Sequence, residues 1–485
     1  MPGKIENHDL IKEKLITILG KEWVSDFPEE ILLYSYDMTE NPSSSPDFVV
    51  MPNTPGEIQA IVELANEHKI PLVPFITGSN VGGLTIPLKG GIIVDLKRMD
   101  RILKINTNDM YVVVEPGVTF GHLNKFLQEN YPDYRYCYPN APPFTSVMAN
   151  ALLGGLNNLS LKYGAMSEII NGVEVVLPTG ELVKIGTCMC WDDHWWGRSP
   201  APDLIGLFTN WQGMTGIVTK MAVQIWPNKP LRDWKFIMST DFPGTYEVVR
   251  KLARSDIISD ILLMSIETIK MVLGVPYGQA VHQEGEPRWA VVLDYDANTK
   301  NELKAKWEIV QDIFKNLKKM DSKAVLSSVD GAAKMYGEKL GNFRNLPFTI
   351  GGMLEYGGLT WLGTYMTADP EIVTKGVKIA FDVIGKHNFE KCLYTRMMKG
   401  GHYWAFRFLL RFAKEKEGEA ERMRALNREL FESLFELGAL PYKTPKWATE
   451  IILENCDENW VNLMHRIKRT LDPNGIMNPG RWGME

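Results

Sequence analysis

Two hydrophobic periods alternate along this chain, one helical and one strand-like, and the switches between them mark its elements. Leu10, Ile11, Leu15, Ile18 and Leu19 recur at helical spacing. Residues 41–46, with Pro42 and three serines, interrupt that pattern as a loop. Residues 48–51 (Phe-Val-Val-Met) form a short apolar strand. Thr54-Pro55-Gly56-Glu57 then supplies an N-cap, an N1 proline and a capping-box carboxylate for a helix running to about His68. The apolar run 70–74 opens into Pro74-Phe75-Ile76-Thr77-Gly78-Ser79-Asn80-Val81-Gly82-Gly83, and residues 92–96 resume as a strand. Strand, helix, strand, glycine loop and strand predict an α+β domain with the loop at its functional edge.

Residues 111–119 read as a strand ended by Pro116-Gly117, and 120–129 as a helix. Small residues then crowd together over 139–155, which lets backbone lie flat against a planar group. Residues 173–183 predict a hairpin turning at Pro178-Thr179-Gly180, and 214–220 open another strand. Farther on, 301–318 reads as a helix with Trp307, Ile309, Val310, Ile313, Phe314 and Leu317 near one face, and 418–437 as a second. Between them, 351–365 alternates aromatic and small residues like a strand lining a cavity. Residues 393–407 read as another such strand, whose cations would be costly inside unless something anionic met them.

Composition narrows the function. A chain of 485 residues should hold two or more domains. The net charge of −6 gives no basic footprint for nucleic acid. Five cysteines suit a reducing compartment better than a disulfide framework. No run of about 18 uncharged apolar residues occurs, since Glu355 and several glycines break the nearest one, over 350–366. The expected location is cytoplasmic, with attachment through another subunit left open.

The glycine loop can turn successive N–H groups inward to cradle phosphate oxygens, with Thr77, Ser79 and Asn80 adding side-chain donors. A dinucleotide fingerprint of the Rossmann kind needs a helix directly after its glycines, and here a strand follows; no Gly-Lys-Ser/Thr is present for a Walker loop. The ordered set 77–83, Glu115-Pro116-Gly117-Val118, 150–155, 174–181, Leu207-Phe208 with 216–220, and the tail 471–481 resembles one family. It is the FAD-binding fold shared by vanillyl-alcohol oxidase, p-cresol methylhydroxylase and the D-lactate and glycolate dehydrogenases.

That resemblance implies an FAD-binding domain over 1–230, itself of two subdomains, and an α+β substrate or cap domain with an antiparallel sheet over 231–464. A segment over 465–485 would return to the FAD domain. It also implies that Thr77, Gly78, Ser79, Asn80, Gly82 and Gly83 cradle the pyrophosphate. Pro116, Gly117, Val118, Gly216, Ile217 and Val218 would flank adenine and ribose. Thr145, Ser146, Asn150, Ala151 and Gly155 would lie near the flavin ring, with Asn478 and Arg481 on the flavin side.

Three features bear on the branch. The eight histidines include no His-x-x-Gly-Asp-Gly-Asn-x-His pair of the hydroxy-acid branch, so no metal is expected. Leu440-Pro441-Tyr442-Lys443-Thr444 resembles the Tyr-Arg-Thr segment with which the phenol-oxidising branch stabilises a phenolate. Lys443 replaces the arginine, keeping the charge but losing the bidentate fork, and the glycine loop lacks that branch's extra tyrosine. The expected enzyme is an FAD-dependent dehydrogenase or oxidase of a small molecule, with a phenol-type substrate ahead of a 2-hydroxy acid. Tyr442 and Lys443 would be catalytic, with Arg396 and His402 in support. A non-catalytic subunit of a redox complex is the alternative. His402, Tyr394 and Tyr403 are the candidate points for covalent FAD. Cys188, Cys190 and His194 lack a usual zinc spacing, so their stretch reads as a tryptophan-rich insertion. Trp191, Trp195, Trp196, Phe208 and Trp211 would, if exposed, suit a protein electron acceptor, within a homo-oligomer or a redox complex.

Overall fold

The computed structural model describes residues 5–338, 340–341 and 357–484. Its first sheet contains β1 (Val24–Ser25), β2 (Phe48–Val50), β3 (Leu72–Phe75) and β4 (Ile92–Asp95) in the order β1-β2-β4-β3. The last three are parallel, because the helix Pro55–His68 carries the chain from β2 over to β3. That helix begins where its signals say. Thr54 Oγ1 accepts from Glu57 N at 3.2 Å, while Glu57 reaches Asn53 N, one residue before the cap. Ile58, Ile61, Val62 and Ala65 bury its inner face against Phe48, Leu72, Ile92 and Val94.

The second sheet runs β5 (Ile102–Asn106), β6 (Tyr111–Val114), β10 (Ile217–Pro227), β8 (Ile170–Val176) and β9 (Leu182–Gly186), with β7 (Tyr134–Tyr136) on the far end of β10. Val176 of β8 and Ile217 of β10 pack into the core of the first sheet. The glycine loop after β3 therefore lies along the seam between the two sheets. The tail secures it: Leu72 N donates to Ile476 O at 2.7 Å, and Asn478 N donates to Leu72 O at 2.8 Å.

The third sheet is antiparallel. It contains β11 (Leu231–Ser239), β12 (Asp260–Ser265), β13 (Trp289–Ala297), β14 (Val325–Ser328), β15 (Gly357–Thr367), β16 (Tyr394–Met398), β17 (Tyr403–Ala413) and β18 (Leu440–Pro441), in the order β14-β11-β13-β12-β16-β17-β15-β18. The helices Phe242–Ala253, Lys300–Met320, Pro370–Lys386 and Glu419–Phe435 share one core with this sheet. The architecture is α+β, as expected. Within Lys300–Met320, Val310 and Leu317 are fully buried while Ile309 is 42% exposed, so the buried stripe is narrower than the apolar pattern.

Three expectations change. Residues 393–407 are a hairpin and not one strand: β16 and β17 turn through Lys399–Gly401, where Gly400 has φ 63° and Gly401 φ 84°. The expected strand over 351–365 is seen from Gly357 onward; residues 351–356 lie outside the described residues. The five aromatics do not form one exposed cluster. Trp195 is buried with Tyr111 and Cys188, and Phe208 belongs to the core of the second sheet. Trp211 packs on Met214 and Met464, leaving Trp191 and Trp196 on the surface.

Candidate functional site

The seam opens into a cavity of about 1050 Å³ including its mouth. Three stretches wall it: Ile76 to Asn80 of the glycine loop; Thr145 with Met148, Ala149 and Asn150; and Gly213 with Gly216, Ile217 and Val218. Gly78 adopts φ 62°, and a Cβ there would meet the Phe75 ring at 2.8 Å, so the loop needs glycine at this point. Asn80 folds the loop on itself, accepting from Gly82 N at 3.1 Å and Leu84 N at 3.0 Å. Among the described residues, Lys443 is the one charged side chain in the lining. Thr145 Oγ1 and Asn150 Oδ1 are buried here without a hydrogen-bond partner, a cost that a bound ligand would remove. The cavity's size, neutral donors and orphaned polar atoms fit FAD.

Of the residues expected around the cofactor, Thr77, Gly78, Ser79, Asn80, Thr145, Asn150, Gly216, Ile217 and Val218 line this cavity. The others stand behind it. A Cβ on Gly82 would press on Lys443 O at 3.2 Å, and one on Gly83 on Asn41 Nδ2 at 2.7 Å, so these glycines allow close packing around the loop. Gly117 lies against Lys97 O, and Val118 and Ala151 are core residues. Ser146 Oγ caps the helix Val147–Leu152 and donates to Pro116 O at 2.6 Å. Gly155 leaves room for the Asn150 side chain, which a Cβ would meet at 2.3 Å. Asn478 Nδ2 donates to Gln212 O at 2.6 Å. Arg481 donates to Gly83 O at 2.9 Å and Ile86 O at 2.7 Å, clasping the glycine loop from the rear, and burial lowers its guanidinium to about 10.

A second cavity, about 760 Å³ with its mouth, adjoins the first and shares Ser79, Ala141, Asn150 and Lys443 with it. Its walls are apolar at Met38, Val81, Leu156 and Leu359, and aromatic at Tyr394 and Tyr442. Arg396, Arg407 and Lys443 face it, and among the described residues no carboxylate does. The Tyr442 ring stacks on Tyr365 with centroids 5.0 Å apart, and its hydroxyl hydrogen bonds with Arg407. The Arg407 guanidinium lies 4.5 Å from the centre of the Tyr394 ring, and the Asn140 amide donates to the Tyr394 hydroxyl. Lys443 lies deep among protein atoms while touching both cavities. Burial, and then the nearby Arg407 charge, lower its ammonium to about 8.

The cap-side expectations divide in the same way. Tyr442, Lys443 and Arg396 come together at this cavity. Arg396 is already matched, donating to Asp260 Oδ2 at 2.7 Å and to Asn157 O. His402 does not reach the cavity: it is exposed beyond the Lys399–Gly401 turn, because the hairpin takes it off the sheet face. Of the three residues considered for covalent attachment, Tyr394 lines this cavity and His402 and Tyr403 line neither. Arg407 was not singled out from the sequence. Its only signal there was a cation in an otherwise apolar run. Cys188 Sγ donates to Ile185 O at 3.3 Å and Cys190 is exposed; among the described residues no His, Cys, Asp and Glu cluster has a metal-holding arrangement.

Comparison with known proteins agrees with this geometry. Residues 46–186 match the FAD binding domain family, and 446–482 match the C-terminal domain of FAD linked oxidases. The chain is 26% identical to the 4-cresol dehydrogenase (hydroxylating) flavoprotein subunit of Pseudomonas putida, over 98% of this chain and 95% of that one. It is 24% identical to glycolate oxidase subunit GlcD of Bacillus subtilis, over 97% and 96%. The fold is that of p-cresol methylhydroxylase with substrate bound, with a TM-score of 0.86 at 22% identity, covering 100% of this chain and 98% of the other.

Proposed function

The chain is an FAD-dependent oxidoreductase of the p-cresol methylhydroxylase type, and from that premise we propose that it oxidises a small substrate held as an anion, with a 4-alkylphenol as the leading case. One observation carries this reading: the cavity beside the cofactor cavity combines apolar and aromatic walls with Arg407, Lys443 and Tyr442, and among the described residues no carboxylate faces it. FAD, when bound, supplies an acceptor for hydride and its electron pair.

The chain's own residues do the rest. A phenol has a pKa of about 10, and a neighbouring cation favours its phenolate. Lys443 provides that cation where the two cavities meet, and below about pH 8 it is charged. Tyr442, held by Arg407 and the Tyr365 ring, presents a hydroxyl to the same oxyanion. Met38, Leu156 and Leu359 exclude water around an aromatic ring.

A 2-hydroxy acid is the second reading. The same cations would anchor its carboxylate, and the near-equal similarity to the glycolate oxidase subunit favours it. We further propose that the electrons leave to a protein partner, consistent with the Pseudomonas relative being a flavoprotein subunit. The test is anaerobic bleaching of the FAD-loaded protein by a panel of 4-alkylphenols and D-2-hydroxy acids. Bleaching by the phenols alone supports the leading reading, bleaching by the acids alone replaces it with the second, and bleaching by neither removes both.

A further inference from the structure

The substrate cavity continues on its far side. Asn140, which lines it, also lines a smaller chamber with Tyr138, Asn158, Asp260 and Asp294, with room for about one water. Tyr138, Asn158 and Arg232 in turn line an outer cleft, where the Arg232 side chain is 34% exposed. Polar side chains recur at each stage of this route, beside the apolar Trp234, Leu262 and Val292 in the chamber.

Four charges cross the cap sheet along this route. Strands β11, β13, β12 and β16 are consecutive neighbours, and they carry Arg232, Asp294, Asp260 and Arg396. Asp260 and Asp294 stand opposite each other in register, an arrangement that repels unless each carboxylate is compensated. Arg232 grips both oxygens of Asp294, with Nε to Oδ1 at 2.8 Å. Arg396 bonds only Oδ2 of Asp260, leaving buried Oδ1 without a partner. Asp260 is thus the carboxylate in the chamber with an unused acceptor.

We propose that Asp260 is a proton relay, taking the substrate hydroxyl's proton from the buried cavity and passing it to solvent through the outer cleft. This rests on the proposed oxidation of a hydroxyl-bearing substrate. The substrate O–H breaks as a water held in the chamber beside Asn140 takes its proton and gives one of its own to the Asp260 carboxylate, making the carboxyl O–H; a solvent base then takes that proton and restores the carboxylate. Arg396 cannot give up a proton, so the transfer runs past Asn140. The groups facing Asp260 suit this role. Burial and Asp294 raise its carboxyl to about 7, against the opposing pull of Arg396 and Arg232, with the Tyr138 hydroxyl facing the same group. A relay works best with a pKa near the operating pH.

The test uses the FAD-loaded protein. Infrared difference spectra between about pH 5 and pH 9 should show a carboxylic acid band titrating near 7 in the wild type and missing from Asp260→Asn. Single-turnover bleaching should slow by about 10² or more in Asp260→Asn, lose its ionisation near pH 7, and recover largely in Asp260→Glu. A merely structural Asp260–Arg396 pair would change KM or stability and leave the shape of the pH profile intact. The infrared measurement on the wild type stands even if the variant does not fold. If the wild type bleaches while no such band titrates, or Asp260→Asn keeps the wild-type pH profile, the relay is wrong and the oxidation reading survives. If no substrate of the panel bleaches the wild type, both fall together.

Discussion

The two cavities meet at Lys443 and are built on opposite plans. The cofactor cavity is assembled mainly from three local stretches of chain, and apart from that lysine its lining is neutral among the described residues. A phosphate-bearing ligand there would meet backbone N–H groups and hydroxyls of the glycine loop. The second cavity gathers Tyr394, Arg396 and Arg407 from the β16–β17 hairpin and Tyr442 with Lys443 from the chain after β18, and its chemistry is carried by charge. A cavity made of backbone tolerates side-chain changes behind it but not at its tight turns. One made of buried cations depends on each ion and on each ion's partner.

Changes at the junction of these plans should separate them. The largest effect is expected at the loop: Gly78→Asp imposes φ 62° on a residue with a Cβ, against the Phe75 ring, and adds a negative charge beside the phosphates. FAD affinity should fall by about 10³ or more, roughly 4 kcal/mol, and the purified protein should be colourless. Retained yellow flavin at full occupancy would remove the loop from the cofactor site.

Next, Arg396→Met leaves Asp260 buried without its cation and should cost about 3 kcal/mol or more of stability in denaturant unfolding. That loss should be greatest at high pH and shrink as the pH falls towards about 7, because without Arg396 the Asp260 carboxyl keeps its proton to higher pH than in the wild type. A stability loss independent of pH would break the account of this pair. Lys443→Met should then lower turnover by about 10² with FAD still bound, and reduce the phenolate signature of a bound 4-alkylphenol. Unchanged turnover and spectrum would take Lys443 out of the site.

The pH dependence of binding sharpens the contrast between substrates. A phenol bound as phenolate gives up a proton, so its affinity should rise about tenfold per pH unit up to about pH 8. It should level off there, as free Lys443 begins to lose its own proton. A carboxylate is ionised throughout, so it should bind evenly up to about pH 8 and weaken above. Titration of a non-reactive phenol and a non-reactive carboxylate against the flavin absorbance distinguishes the two slopes. The smallest effect belongs to His402→Ala, which should change turnover and stability by less than about 0.5 kcal/mol, since the side chain is exposed beyond the hairpin turn. A large loss of turnover there would return His402 to the site.

The difference between the cavities also explains what could be read from the chain. The glycine loop, the capped helix Pro55–His68, the crowd of small residues after Pro139 and the Tyr442-Lys443 pair were legible, because their meaning lies in neighbouring residues. Loop conformation, helix capping and strand periodicity are set by local sterics and short hydrogen bonds. The sequence by itself therefore determined the opening order of elements through the glycine loop, the α+β class and the loop residues that line the first cavity. Only the tertiary structure decided which cations meet. Arg407 enters the site, and His402 leaves it, because the run 393–407 folds back at Gly400. Arg481 works from behind the loop, because the tail pairs along β3. Asp260, silent in the sequence, becomes the partner of Arg396 because β12 and β16 lie side by side. Strand order and the direction of a buried charge follow from long-range packing and from the cost of desolvating an ion, and neither leaves a local mark on the chain.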